Sequence, residues 1–336
     1  MINHIRKMRV TAAAALLVIA ATVLAAAAAE GPETIAVKAF ELRLAGHLDE
    51  AVELLEAGLK DHAEAGVLHY ELARARLMLL DIGGMHAEAE AAVRCAPANN
   101  EYRYFAATAA AYSLIDAAHH GDQDRMKAAG SEVIDQLEAI LEADPDNCRA
   151  RYFLVQQSID MAPDVGLEVG DPEKHVRLLE AKDPIMGAKA RCCLVGEKEQ
   201  RRIWEQVLSD HPQDCHALVE AADGLITAGA LEQAEACLDK AIEMDRQSCY
   251  GLLRLGLAYC MQEDWDRGLA LTQRYLDTEP PFALKAFAIG RMGMIHHRQG
   301  DADRGRELMD QARKLDPHVW QTVMPPPLEI FTPLGS

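Results

Sequence analysis

The sequence has few aromatic residues and few basic ones. Phe, Trp and Tyr make up 5% of its 336 residues, whereas half of the residues are hydrophobic, mostly Ala and Leu. Because Ala and Leu favour helix over strand, we expect an all-helical chain. Lys and Arg together number 34 against 53 Asp and Glu, which gives a net charge of -19. A surface of this sign repels nucleic acid and anionic membranes, so neither is expected as a partner.

The sequence also lacks the short motifs that mark common active sites. It contains no Gly-x-Ser-x-Gly elbow, no phosphate loop and no dinucleotide-binding fingerprint, so we predict no catalytic residue, no cofactor and no enzyme activity. Neither a Cys-x-x-Cys pair nor a His-Glu-x-x-His motif is present, so no metal site is predicted. Two weaker alternatives are a metal site at His119, His120 and Asp122, and a redox or hydrolytic role for Cys192 and Cys193.

The N-terminus has the layout of a secretory signal peptide. A basic start with Arg6, Lys7 and Arg9 precedes an uncharged run over residues 10–29 that ends in alanines. Cleavage before Glu30 would remove residues 1–29 and send the chain to the periplasm or outside the cell, with no stable membrane insertion afterwards. The alternative is an uncleaved inner-membrane anchor over residues 10–29, because about 20 apolar residues suffice to span a bilayer.

A pattern of close to 34 residues repeats after Pro32. Prolines that stop a helix recur at the ends of amphipathic segments, at Pro97, Pro145, Pro184, Pro212, Pro280 and Pro317. The turns at Gly46, Gly229 and Gly300 share a glycine, which suits a left-handed helix end. Small residues also recur where two helices would approach closely, at Ala39, Ala51, Ala73, Ala107, Ala222, Ala234, Gly256, Gly293 and Gly305.

These small residues and unit-ending prolines resemble the signature of the tetratricopeptide repeat family over roughly residues 32–318. The aromatic residue that usually starts each unit is mostly absent. The resemblance implies an all-α, right-handed α-solenoid superhelix of about eight helical hairpins, with a concave inner surface lined by the first helix of each hairpin. We predict a signal segment 1–29, a solenoid 30–318 and a Pro-rich tail 319–336. A long third unit 100–147 and irregular units 148–214 interrupt the regular array.

Carrying the family geometry onto this sequence predicts which side chains line that inner surface. They are Phe40, Tyr70, Arg74, Tyr104, Tyr112, Arg149, Tyr152 and Gln156. Tyrosine is favoured on recognition surfaces, and arginine binds carboxylates, so the groove suits an extended peptide or an acidic group. The alternative is that these tyrosines fill space between helices. In the later units the same register places Val219, Asp223, Ile226, Leu253, Leu257 and Met261 on this face, which predicts a more apolar surface there.

The functional prediction is a secreted or periplasmic adaptor that binds a protein or peptide partner in this groove, in cell-envelope assembly or transport. The alternative is a carrier for a small apolar or lipid ligand, held between the long third unit and the loop around Gly166. Eight cysteines allow disulfides in an oxidising compartment, and Cys237 with Cys260 is the best candidate pair. The tail 319–336 is expected to cover the end of the last unit or to serve as a docking peptide.

Overall fold

The computed structural model describes residues 30–161, 165–167, 169–280 and 282–317. Every regular element in these ranges is a helix and none is a strand, which confirms the predicted all-α class. The predicted signal segment 1–29 and the tail 319–336 lie outside the described residues. The chain divides into two compact units, one of which runs through Tyr102 while the other begins at Arg103.

The first unit contains two helical hairpins. Its helices are α1 Pro32–Ala45, α2 Leu48–Asp61, α3 Gly66–Met78 and α4 Ile82–Cys95. Helix α1 starts at a proline, which suits a first turn whose N–H groups have no partner within the helix, and it ends where Gly46 takes a left-handed φ of 90°. Helices α1, α2 and α3 bury one core between them, formed by Ile35, Ala36, Ala39, Ala51, Leu55, Leu68 and Leu72.

The second unit contains six hairpins that pack against one another in chain order, and only residues 100–102 of its first helix belong to the first unit. Its helices are α5 Asn100–His120, α6 Gln123–Ala143, α7 Cys148–Asp160, α8 Pro172–Lys182, α9 Pro184–Cys192, α10 Glu197–Asp210, α11 Cys215–Thr227, α12 Leu231–Met244, α13 Gly251–Met261, α14 Trp265–Leu276, α15 Phe282–Arg298 and α16 Ala302–Leu315. With the two hairpins of the first unit they make eight, the number predicted. The odd-numbered helix of each hairpin is called its first helix below.

Glycines close the turns and the helix crossings of this array. Gly46, Gly229 and Gly300 all have positive φ, the conformation that their turns were expected to need. At the crossing of α15 and α16, a Cβ added to Gly293 would lie 2.9 Å from the backbone oxygen of Gly305. Gly293 and Gly305 therefore let α15 and α16 approach each other more closely than residues with a Cβ would.

The hairpin of α5 and α6 is longer than the others of the second unit. Both helices have 21 residues, whereas α11 and α12 have 13 and 14. The loop that follows α7 packs against it: Leu167 and Val169 contact its apolar core, and a Cβ on Gly130 would meet the side chain of Leu167 at 2.9 Å. Leu167 and Val169 thus lie in the region where the alternative hypothesis put a small apolar ligand, and that alternative stays a prediction.

Helices α8 and α9 are shorter and meet at a single residue. Asp183 ends α8 and caps α9 by accepting hydrogen bonds from the backbone N–H groups of Ile185 and Met186. The fifth hairpin consequently begins at Pro184, within the segment 148–214 that was expected to be irregular. Over the residues that the structure describes, no helix is both long enough and apolar enough to cross a bilayer.

Candidate partner-binding surface on the first helices

All of the predicted groove residues lie on first helices. Phe40 is on α1, Tyr70 and Arg74 are on α3, Tyr104 and Tyr112 are on α5, and Arg149, Tyr152 and Gln156 are on α7. Their surroundings differ between the two units, so each unit is considered by itself.

In the first unit these residues belong to what we call the buried charge cluster: Phe40, Arg43, Tyr70, Glu71 and Arg74. Glu71 accepts hydrogen bonds from Arg43 at 3.0 Å and from Arg74 at 2.7 Å. The side chains of both arginines are 1% exposed and that of Glu71 is 4% exposed. The guanidinium of Arg43 also lies 5.1 Å from the centre of the Phe40 ring. Burial, followed by the nearby charge of Arg74, lowers the pKa of Arg43 to about 10.

Tyr70 is buried in the same cluster. Its ring stacks on that of Tyr102, with the ring centres 5.1 Å apart, and the guanidinium carbon of Arg74 lies 5.2 Å from the centre of the Tyr70 ring. Such contacts fit the second interpretation made above, that tyrosines fill space between helices. The groove itself stays a prediction for this unit.

In the second unit, Tyr104 and Arg149 form a half-buried pair. The guanidinium carbon of Arg149 is 3.6 Å from the centre of the Tyr104 ring, and the ring of Phe153 lies 5.6 Å from the same centre. A cation at this distance is held by the negative face of the ring. Tyr112 and Gln156, one turn or two further along their helices, are also half-buried.

Tyr152 begins a row of side chains that continues along successive first helices. The ammonium nitrogen of Lys189 on α9 is 4.9 Å from the centre of the Tyr152 ring and 2.6 Å from a carboxylate oxygen of Glu220 on α11. The Tyr152 hydroxyl and the Cys193 thiol are hydrogen-bond partners. Burial is the main cause that raises the pKa of Tyr152, so this tyrosine remains neutral.

The row ends in an ion pair between Asp223 on α11 and Arg254 on α13. We call Tyr152, Lys189, Glu220, Asp223 and Arg254 the first-helix strip. Its charged side chains are 17% to 43% exposed, in contrast to those of the buried charge cluster. They can therefore be reached by another molecule.

Arg254 is partly exposed to water and partly surrounded by protein. Its side chain is 43% exposed, yet burial lowers its pKa. A group that water reaches on one side loses solvation in this way when protein surrounds it on the others.

Sequence reasoning found Tyr152 but missed Lys189, Glu220 and Arg254. A usable signal was present, because a charged residue stands two places before the small residue of the first helix in Glu71-Leu72-Ala73, Glu220-Ala221-Ala222 and Arg254-Leu255-Gly256. The expectation of a more apolar face in α11 and α13 is wrong at one position in particular. Leu253 is fully buried, whereas the side chain of its neighbour Arg254 is 43% exposed. A shift of one residue in the helical register is enough to exchange the two.

The cysteines and the tip of the hairpin of α5 and α6 were the alternative sites considered from the sequence. All eight thiols are free, so Cys237 and Cys260 are not joined. Burial raises the pKa of Cys192 to about 12 and also raises that of Cys193, which keeps both protonated and weakly nucleophilic. At the tip, Asp122 caps α6 by accepting a hydrogen bond from the backbone N–H of Arg125.

Neither protein-family models nor curated proteins match this sequence. Solved structures do. A tetratricopeptide repeat protein from Parabacteroides merdae is 13% identical, with a TM-score of 0.44 over 83% of this chain and 98% of that one. PilW, described as a widely conserved type IV pilus biogenesis factor, is 14% identical, with a TM-score of 0.34 over 77% of this chain and 97% of that one.

MamA is 17% identical, with a TM-score of 0.30 over 59% of this chain and 94% of that one. At TM-scores below 0.5, these similarities tell us nothing about what this chain binds. The described hairpins themselves show a tetratricopeptide-like array.

Proposed function

We propose that this protein is a secreted or periplasmic adaptor that binds a protein or peptide partner along the first-helix strip, in assembly or transport at the cell envelope. One observation carries this proposal. Five side chains from four successive first helices form two groups of contacts, Tyr152–Lys189–Glu220 and Asp223–Arg254, which both include α11, and their charges remain partly exposed. A single partner segment lying along the row would touch all four helices at once.

The composition of the strip supports a peptide as the partner. Tyr152 offers apolar area at little conformational cost, and its neutral hydroxyl adds a polar edge. The ion-paired side chains of the first-helix strip are partly solvated. They can therefore exchange their present partners for charges of a bound segment at a small cost in desolvation of the strip. The location rests on the signal-like segment 1–29, and N-terminal sequencing of the exported chain should find a start at or near Glu30.

Partner capture tests the proposal. The full-length chain, tagged and produced in its native cell, is crosslinked and purified from the envelope fraction, as wild type and as the variants Tyr152→Ala and Arg254→Glu. We expect both variants to lose most of the captured partner while remaining folded by circular dichroism.

Arg274→Glu is the matched control. Arg274 lies on the second helix α14, is 43% exposed like Arg254, and pairs with Asp239 at 2.6 Å. Its replacement should leave capture unchanged. Equal capture by wild type, Tyr152→Ala and Arg254→Glu would contradict the proposed role of the strip.

A further inference from the structure

The chain leaves the last hairpin at the edge of the array where the first helices begin. A Cβ added to Gly305 of α16 would lie 2.9 Å from the backbone oxygen of Gly293 on α15. These two residues stand on either side of the turn at Gly300, so α15 and α16 run antiparallel. The end of α16 at Leu315 therefore lies beside the start of α15, and the tail 319–336 follows from that edge.

The first-helix strip lies close to the same edge. Four of its side chains stand three to five residues after the start of their helices: Tyr152, Lys189, Glu220 and Arg254. At 1.5 Å per residue, that is about 5–8 Å along the helix axis. Neighbouring first helices are also in contact, as where Arg291 of α15 donates to the backbone carbonyl of Leu253 on α13 at 2.9 Å. A segment that starts beside α15 can therefore run along the strip from α13 to α7.

The tail 319–336 is long enough to cover the strip. Packed helices lie about 8–10 Å apart, so the four steps from α15 to α7 amount to about 30–40 Å. The tail contains Pro325, Pro326, Pro327 and Pro333, which favour the polyproline II conformation. Because that conformation advances about 3.1 Å per residue, the 18 residues of the tail can span about 55 Å.

The composition of the tail suits the strip. Eight of its 18 residues are Val, Leu, Ile, Met, Phe or Trp, and proline-rich segments dock on aromatic side chains such as that of Tyr152. Among Asp, Glu, Lys and Arg, the tail contains Glu329 alone. In both ion pairs of the strip the cation is the more exposed side chain: Lys189 is 23% exposed against 17% for its partner, and Arg254 is 43% exposed against 32% for its partner. An approaching segment therefore meets positive charge first, which favours Glu329.

We propose that the tail 319–336 docks along the first-helix strip of its own chain and occupies it until a partner displaces the tail. This proposal rests on the proposed function and adds the regulation of its site. Because the tail belongs to the same chain, its effective concentration at the strip is on the order of millimolar. A partner must compete with it, so the strip captures segments that bind more tightly than the tail does.

Photo-crosslinking of the full-length chain locates the docked tail. Phe331 is replaced by p-benzoylphenylalanine, isotope-labelled and unlabelled preparations are mixed and irradiated, and crosslinked peptides are identified by mass spectrometry. We expect crosslinks within one chain, on α7, α9 or α11. Crosslinks confined to α15 and α16 would show that the tail covers the end of the array instead, and crosslinks between labelled and unlabelled chains would show a second copy. Either result, or no crosslink at all, would overturn the proposal.

Glu329→Lys tests the match of charges. It should lower the yield of these crosslinks to about half or less and raise partner capture about twofold or more, because a weaker competitor remains on the strip. Glu263→Lys is the matched control, since it makes the same change at an exposed residue in the turn between α13 and α14, at the opposite edge of the array. Its crosslink yield and capture should equal those of wild type.

Partner capture separates failure of the docking from failure of the proposed function. Loss of the partner in Tyr152→Ala, without crosslinks on the first helices, leaves the function standing and refutes the docking. Crosslinks on the first helices, with equal capture by wild type and Tyr152→Ala, support the docking and refute the function. Equal capture by wild type and Glu329→Lys, despite crosslinks on the first helices, refutes the regulation.

Discussion

The two units use charged residues at the same place in a first helix in opposite ways. Glu71 in the first unit and Glu220 in the second both stand two residues before a small residue. The side chain of Glu71 is 4% exposed and shared between two arginines, whereas that of Glu220 is 17% exposed and faces one lysine. The sequence position is the same, but burial decides whether the charge holds a core together or remains accessible to another molecule.

The largest difference should appear when each glutamate is neutralised. Glu71→Gln leaves two buried arginines without a carboxylate, which should lower the free energy of unfolding by about 3–5 kcal/mol. Glu220→Gln breaks a partly exposed pair and should cost about 1 kcal/mol or less. Hydrogen exchange of amides in α1 and α3, and in α9 and α11, measures each loss locally. Equal losses of unfolding free energy at Glu71 and Glu220 would contradict the proposed difference between the two units.

A second test asks what holds the strip in place. Trp204 of α10 packs behind α11, where a Cβ added to Gly224 would lie 1.8 Å from its indole nitrogen. Gly224→Ala should therefore cost about 1–3 kcal/mol through overpacking, more than the loss of the Lys189–Glu220 pair in front. Gly83→Ala in α4 is the control, since nothing lies within 4 Å of the added carbon. Urea unfolding measures the free energy of unfolding of both variants. An unchanged value for Gly224→Ala would show that close packing against Trp204 does not hold α11 in place.

Buried arginines also differ in their acceptors, and this should appear in the pH dependence of stability. Arg151 in the second unit is 9% exposed and donates to the carbonyl of Pro145, with the ring nitrogen Nδ1 of His175 3.1 Å from its guanidinium. Burial, then the charge of Arg151, lowers the pKa of His175. The unfolded chain therefore takes up the proton first, and the stability present above pH 6.5 falls as the pH is lowered below it.

His175→Gln keeps an acceptor for Arg151 but does not titrate. Denaturation midpoints between pH 7.5 and 5 should fall more steeply for wild type than for this variant. Parallel curves would show that protonation of His175 does not oppose folding.

The smallest expected effect concerns the hydroxyl of Tyr152. Tyr152→Phe keeps the ring under Lys189 and removes the hydrogen bond with Cys193, so it should cost about 1 kcal/mol or less in stability. Partner capture should be retained, unlike in Tyr152→Ala. If Tyr152→Phe loses capture as fully as the alanine variant, the hydroxyl and not the ring makes the contact.

The helical hairpins could be predicted from the sequence because each depends on local signals. Proline stops, turn glycines and small residues at crossings are spaced along the chain, and the positive φ of Gly46, Gly229 and Gly300 bears out the reading of the turns. Composition alone was enough for the all-α class.

The site residues could be predicted less well because burial depends on neighbours that are far away in the sequence. Tyr70 and Tyr104 are 34 residues apart and look equivalent, yet Tyr70 is 7% exposed and stacked on Tyr102 while Tyr104 is half-buried under Arg149. Lys189 was missed because the short helix α9 does not keep the 34-residue spacing. Whether these residues line a groove remains a prediction.

A charge exchange across one ion pair tests the central claim, that the strip serves binding while the buried charge cluster serves stability. The double variant Asp223→Arg/Arg254→Asp keeps an opposite-charge pair between α11 and α13 but reverses its direction. We predict a free energy of unfolding within about 1 kcal/mol of wild type, together with loss of the captured partner. Full capture by this stable variant would contradict the account.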